Sequence, residues 1–122
     1  MEEKISRRVI GAAIEVHRHL GPGLLEGIYK TCLAHELALA GLIVAREVPL
    51  PVDYKDMRLE CGYRLDLVVE QTLIVEIKSV GALLPLHGKQ LLTYLRLSGL
   101  KAGLLLNFNT MLLKDGIERV VA

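Results

Sequence analysis

An α/β fold, a mixed β-sheet flanked by helices in the order α-α-β-β-β-α-β-β, is predicted by three features of this 122-residue chain. Residues 3–20 and 24–40 repeat apolar side chains every three to four positions, the period of an amphipathic helix. Residues 65–78 read as two apolar, β-branched runs joined by the polar break Glu70-Gln71-Thr72, the pattern of a hairpin. The run Ala102-Gly103-Leu104-Leu105-Leu106 comes after a third helical stretch. It suits a buried strand parallel to the last hairpin strand, reached by a right-handed crossover.

The first helix carries Ile5, Val9, Ala12, Val16 and Leu20 on one stripe, and Gly21-Pro22-Gly23 stops it. His17 and His19 lie in its last turn, where a protonated imidazole suits the helix dipole. His17 could instead project toward a carboxylate patch described below. The second helix, Leu24 to Ala40, ends at Gly41 and places Glu26 on a stripe with Tyr29, Leu33 and Leu37. With Gly23 as the cap, Glu26 takes the third helical position, where a glutamate often caps backbone. The other reading makes it a further carboxylate facing the site.

Residues 42–53 contain Pro49 and Pro51 and are expected as a strand near a sheet edge, since proline donates nothing to a ladder. Tyr54 to Met57 forms a turn, Arg58 to Val69 the second strand and Thr72 to Lys78 the third. Pro85 opens a helix that runs to about Ser98, where Gln90 and Tyr94 share a face with Leu86 and Leu97. His87 and Lys89 sit at its start, where backbone groups could hold an anion. Lys114-Asp115-Gly116 is a turn before a short last strand, Ile117 to Val121.

Length suggests one domain spanning 1–122 with a real core, and 52% hydrophobic residues exclude disorder. Lys and Arg number 15 against 14 Asp and Glu, so no global field draws in a polyanion and any such site is local. Arg46, Lys55, Arg58 and Arg64 could touch phosphate, although isolated bases on a sheet are more often solvated. Cys32 and Cys61 have no metal-ligand spacing and are expected as reduced core thiols of a cytoplasmic protein. The sequence shows no signal peptide and no apolar run near the length of a membrane span.

The hairpin carries the chemistry. A turn centred on Gln71 sets Asp66 opposite Glu76, and the two-residue period of a strand puts Lys78 on the face of Glu76. Leu65, Leu67, Val69, Leu73, Val75 and Ile77 then fill the other face. Opposed Cβ atoms lie about 5 Å apart. Two carboxylates that close repel by roughly 3 kcal/mol at an effective dielectric of about 20. A divalent cation reverses the sign of that cost, and hard cations such as Mg²⁺ take carboxylate, water and phosphate oxygens. The ordinary alternative is an exposed ion pair of Lys78 with Glu76 or Asp66.

Glu26, then Asp66, then Glu76-Ile77-Lys78, then Gln90-x-x-x-Tyr94 resembles the PD-(D/E)XK nuclease superfamily, with its restriction-endonuclease-like fold. Asp-x9-Glu-x-Lys looks like that superfamily's core signature, and Gln-x3-Tyr like the extra motif of its RecB-like branch. Leu65 stands where the superfamily name has proline. Gly23-Leu24-Leu25-Glu26-Gly27-Ile28-Tyr29 is similar to the motif of the GxxExxY proteins. So are the flanking segments Val16 to Gly23 and Leu106-Asn107-Phe108-Asn109.

The resemblance implies Mg²⁺ or Mn²⁺ held by Asp66, Glu76 and the Ile77 carbonyl, with Glu26 and His17 as further metal-side residues. It implies Lys78 at the attacking water, and Gln90 and Tyr94 bracing Lys78 or touching phosphate. The reaction would be phosphodiester hydrolysis in DNA or RNA. The competing expectations are a non-catalytic nucleic-acid- or protein-binding module and a phosphohydrolase acting on small phosphates. Sequence recognition by so short a chain would need a homodimer or a partner protein.

Overall fold

The structure is a computed structural model that describes residues 2–60 and 62–122. Two helices come first, α1 (Glu2–Leu20) and α2 (Glu26–Leu39). A five-stranded sheet is built from β1 (Val44–Pro49), β4 (Arg64–Val69), β5 (Leu73–Lys78), β6 (Ala102–Asn107) and β7 (Ile117–Val121), in that spatial order. Helix α3 (Pro85–Ser98) joins β5 to β6, which pair in parallel, while every other neighbouring pair is antiparallel. A 3-10 turn, Leu113–Gly116, precedes β7. Gly116 lies so close to β6 that a Cβ there would fall 2.2 Å from the Asn107 carbonyl oxygen.

The sheet separates two apolar layers. Leu67, Val69, Leu73, Val75 and Ile77 face α1 and α2 and pack with Val9, Val16, Tyr29, Leu33 and Leu37. Val68, Ile74 and Leu105 face Leu91 and Leu95 of α3. All six residues of β6 are buried, as the continuous apolar run requires of an inner strand. The mixed sheet flanked by helices agrees with the predicted class, and β1 is indeed an edge strand.

Local departures have physical causes. The expected strands 42–53 and 58–69 each break: Leu50 still donates its N–H to the Tyr63 carbonyl at 2.8 Å, but β1 ends at Pro49 and β4 begins only at Arg64. The end of the first and the start of the second form a separate two-stranded ribbon, β2 (Val52–Tyr54) with β3 (Met57–Leu59). Leu65 packs into the α3 layer instead of the layer its parity predicts. In α1 the buried stripe passes through Ala13 and His17, leaving Leu20 exposed. In α3 the core face is Leu91 and Leu95, so Leu86, Gln90 and Leu97 stand outside it. Cys32 is half-buried and free, and Cys61 lies outside the described residues. Among the described residues no helix is long and apolar enough to cross a membrane.

Candidate active site

The hairpin of β4 and β5 turns through Glu70 and Gln71, both at positive φ, with the Thr72 N–H donating to the Val69 carbonyl. The register Val69↔Leu73, Val68↔Ile74, Leu67↔Val75 follows from that turn. One step further, Asp66 stands opposite Glu76, and here side chains replace the ladder. The Asp66 N–H donates to Glu76 Oε2 at 2.8 Å, and the Ile77 N–H donates to Asp66 Oδ2 at 2.8 Å. Each acid thus holds the other's strand, and the two carboxylates are locked at one end of the sheet.

Their electrostatics are unbalanced. Glu76 is only 7% exposed. Burial, and after it the neighbouring charge of Asp66, push its pKa up from 4.5 to about 7, against the lowering effect of the Asp66 N–H, Lys78 and Lys30. A buried carboxylate disfavoured in its charged form, beside a second carboxylate, is short of positive charge. Lys78 ends β5 half-buried, and among the described residues its ammonium has no hydrogen bond or ion pair. Tyr94 packs beside this cluster against Tyr63, with ring centroids 6.3 Å apart. Burial first, then the charge of Glu76, raises its pKa.

Three loops close round the end of β5 and β6. Asn107, in register with Lys78 and fully buried, accepts the Val80 N–H at 3.0 Å and donates to the Val80 carbonyl at 3.0 Å. It fixes the chain leaving Lys78. Ser79 Oγ donates to the Leu24 carbonyl at 2.7 Å, tying the loop before α2 to the same point. The Tyr29 hydroxyl donates to the Gly21 carbonyl at 2.5 Å and accepts the Leu24 N–H at 3.1 Å, while its ring stacks on Phe108 at 4.5 Å. The Gly-x-x-Glu-x-x-Tyr stretch is therefore a clamped loop, with Gly23 at φ +98 inside it. Replacing Tyr29 with Phe keeps the stack and strands the Leu24 N–H and Gly21 carbonyl. The expected loss is about 1–2 kcal/mol in a urea melt; a melt identical to the parent's would contradict the clamp.

A model of the PD-(D/E)XK nuclease superfamily matches residues 3–120. The chain belongs to this superfamily. No curated protein and no solved structure matches it. The five-stranded mixed sheet flanked by helices is consistent with the superfamily's restriction-endonuclease-like fold, and membership points to a nuclease-like function.

The remaining residues singled out in the sequence fall as follows. Glu26 is exposed and is the first residue of α2, after Leu25 as cap, so it does not hold the third helical position. The clamped loop, tied through Ser79, carries it at the end of β5. Gln90 is exposed, and its side chain has no hydrogen bond among the described residues. His17 is buried, and its Nε2 donates to the Thr110 carbonyl at 2.9 Å, which leaves Nδ1 as its acceptor nitrogen when neutral. His87 caps α3, its Nδ1 accepting the Leu84 N–H at 3.0 Å. Arg46 is held by Thr31, and Arg58 by Glu60 and Asp53.

The sequence reading overlooked Lys30. Its Nζ lies 2.5 Å from Glu47 Oε1 and 3.2 Å from Asp66 Oδ1. Burial alone would lower its pKa, but the hydrogen bonds to Glu47 and Asp66 and the negative charges of both together outweigh that and raise it. Its place four residues after Glu26, on the same side of α2, was the available signal.

Among the described residues no group of three or more His, Cys, Asp or Glu side chains gathers to hold an ion. The donors brought together at this end of the sheet are the carboxylates of Asp66 and Glu76. That set fits Mg²⁺ or Mn²⁺, which keep several waters and share phosphate oxygens, and fits poorly any metal that needs a full protein cage.

Proposed function

We propose that the chain is a metal-dependent nuclease hydrolysing phosphodiester bonds in DNA, with Mg²⁺ or Mn²⁺ at Asp66, Glu76 and the Ile77 carbonyl. The observation that carries this reading is the locked pair Asp66–Glu76, with the buried Glu76 carboxyl pushed up to about 7 and with Lys78 holding no ion pair among the described residues. When bound, the ion would supply Lewis-acid activation of the phosphoryl group and of water. Lys78 would orient the attacking water and offset charge gathering on the phosphoryl oxygens. Glu26, at the mouth of the clamped loop, would hold a water on the open side. Tyr94 braces Lys78 or meets a phosphate oxygen, with Gln90 one turn earlier reaching the substrate. His17 would be a further metal-side residue.

The Gly23-to-Tyr29 motif supports reading the chain as one of the GxxExxY proteins within this superfamily. The near-neutral overall charge leaves substrate capture to local contacts, and a homodimer or partner protein would extend them.

End-labelled DNA and RNA incubated with the protein and Mg²⁺ or Mn²⁺ provide the test. The reading expects shortened DNA from the parent and none from Asp66→Asn. No cleavage by the parent, or equal cleavage by the two, would remove the nuclease. Salt-dependent DNA binding without cleavage would point to a binding module, and inorganic phosphate release to a small-phosphate hydrolase.

A further inference from the structure

Lys30 and Glu47 have no role in the reading above, yet they form a tight ion pair at its edge. Lys30 reaches from α2 with its side chain only 17% exposed. Glu47 belongs to β1, where Arg46 pairs with Leu67 and Val48 with Leu65, so residue 47 falls opposite Asp66. It does not pair there. Its φ is +52, a left-handed kink that residues with a Cβ rarely adopt, and its carboxylate meets the Lys30 ammonium. Glu47, Asp66 and Glu76 therefore stand in a row across three adjacent strands, with Lys30 bridging the first two.

The bridge is lopsided. Lys30 is 2.5 Å from Glu47 and 3.2 Å from Asp66. Asp66 also has its other oxygen fixed by the Ile77 N–H, so Oδ1 is the atom that can change partners. We infer that Lys30 is a displaceable counter-cation for Asp66, and that Glu47 is the anchor that takes it back. The inference rests on the metal-binding reading of the pair. With no ion bound, Lys30 supplies the positive charge that Asp66 lacks. When a divalent ion engages Oδ1, Lys30 retreats to Glu47, already its nearer partner, on the edge strand. Lys30 is thus a positioning residue whose charge sets how tightly the ion is held.

Two single substitutions should then act with opposite signs. MnCl₂ titrated calorimetrically into the full chain is expected to bind about tenfold more tightly to Lys30→Met, which removes the competing charge. Lys30→Arg should stay near the parent. Glu47→Gln should bind several-fold more weakly, because Lys30 is left with Asp66 alone. The double variant should match Lys30→Met, since Glu47 acts only through Lys30. In EDTA, Lys30→Met should melt below the parent, and Mn²⁺ should restore it.

Unchanged or weaker Mn²⁺ binding by Lys30→Met overturns the counter-cation role and leaves the nuclease reading intact. A double variant weaker than Lys30→Met makes Glu47 a direct ligand and also overturns it. A parent that binds no Mn²⁺ removes the ion itself, and both readings fall together. Should Lys30→Met not fold, Lys30→Gln, which keeps a hydrogen-bond donor toward Glu47 and Asp66, takes its place in the single and the double variant and is read by the same outcomes.

Discussion

Glu76→Gln is expected to stabilise the metal-free protein at pH 8 by about 3 kcal/mol, roughly 10 °C in melting temperature. The Glu76 carboxyl titrates at about 7 in the folded chain against 4.5 ordinarily. Below pH 4.5 both folded and unfolded chains hold its proton, and the group has no effect. Between 4.5 and 7 only the unfolded chain has released it, so stability falls as pH rises. Above 7 the loss is complete. An amide keeps the acceptor for the Asp66 N–H and carries no charge, so the variant escapes the loss. Melts in EDTA at pH 4 should coincide for the two proteins and diverge by pH 8. Mn²⁺ should raise the parent's melting temperature and leave the variant's unchanged. A variant less stable than the parent at pH 8 would show that the buried carboxylate is not a liability in the absence of an ion.

Lys78→Ala should reduce DNA cleavage by about 10²- to 10⁴-fold, the range for loss of a positioned acid–base group. It should bind Mn²⁺ at least as tightly as the parent, since a nearby positive charge has gone. This split separates Lys78 from Asp66, whose replacement by Asn should lose both properties. It also separates the two lysines of the site. Lys30 is neutralised by Glu47 and Asp66, whereas Lys78 has no such partner among the described residues. Cleavage by Lys78→Ala at the parent's rate would remove the lysine from the chemistry.

The hairpin was readable because a short polar break between two apolar runs fixes the register, and register alone sets Asp66 opposite Glu76. The parallel β5–β6 pair was readable from the unbroken apolar stretch before Asn107. What was not readable depends on single backbone torsions. Nothing in Arg46-Glu47-Val48 announces that Glu47 turns to positive φ and leaves the ladder, so the Lys30 bridge was invisible from strand periodicity. The ribbon of β2 and β3 was hidden for a similar reason: the prolines marked an edge but not a break. Asn107 reads as the polar end of a strand, and only the fold shows it pinning Val80 and with it the chain after Lys78. For Tyr29 the helical stripe predicted burial, but not that its hydroxyl would clamp Gly21 and Leu24.

A crystal soaked in MnCl₂ and measured at an anomalous-scattering wavelength tests the central claim most directly. The account predicts one strong peak about 2 Å from Asp66 Oδ1 and a Glu76 carboxylate oxygen, with the Ile77 carbonyl alongside and the Lys30 ammonium drawn toward Glu47. A peak elsewhere, or none with Lys30 still on Asp66, would contradict it.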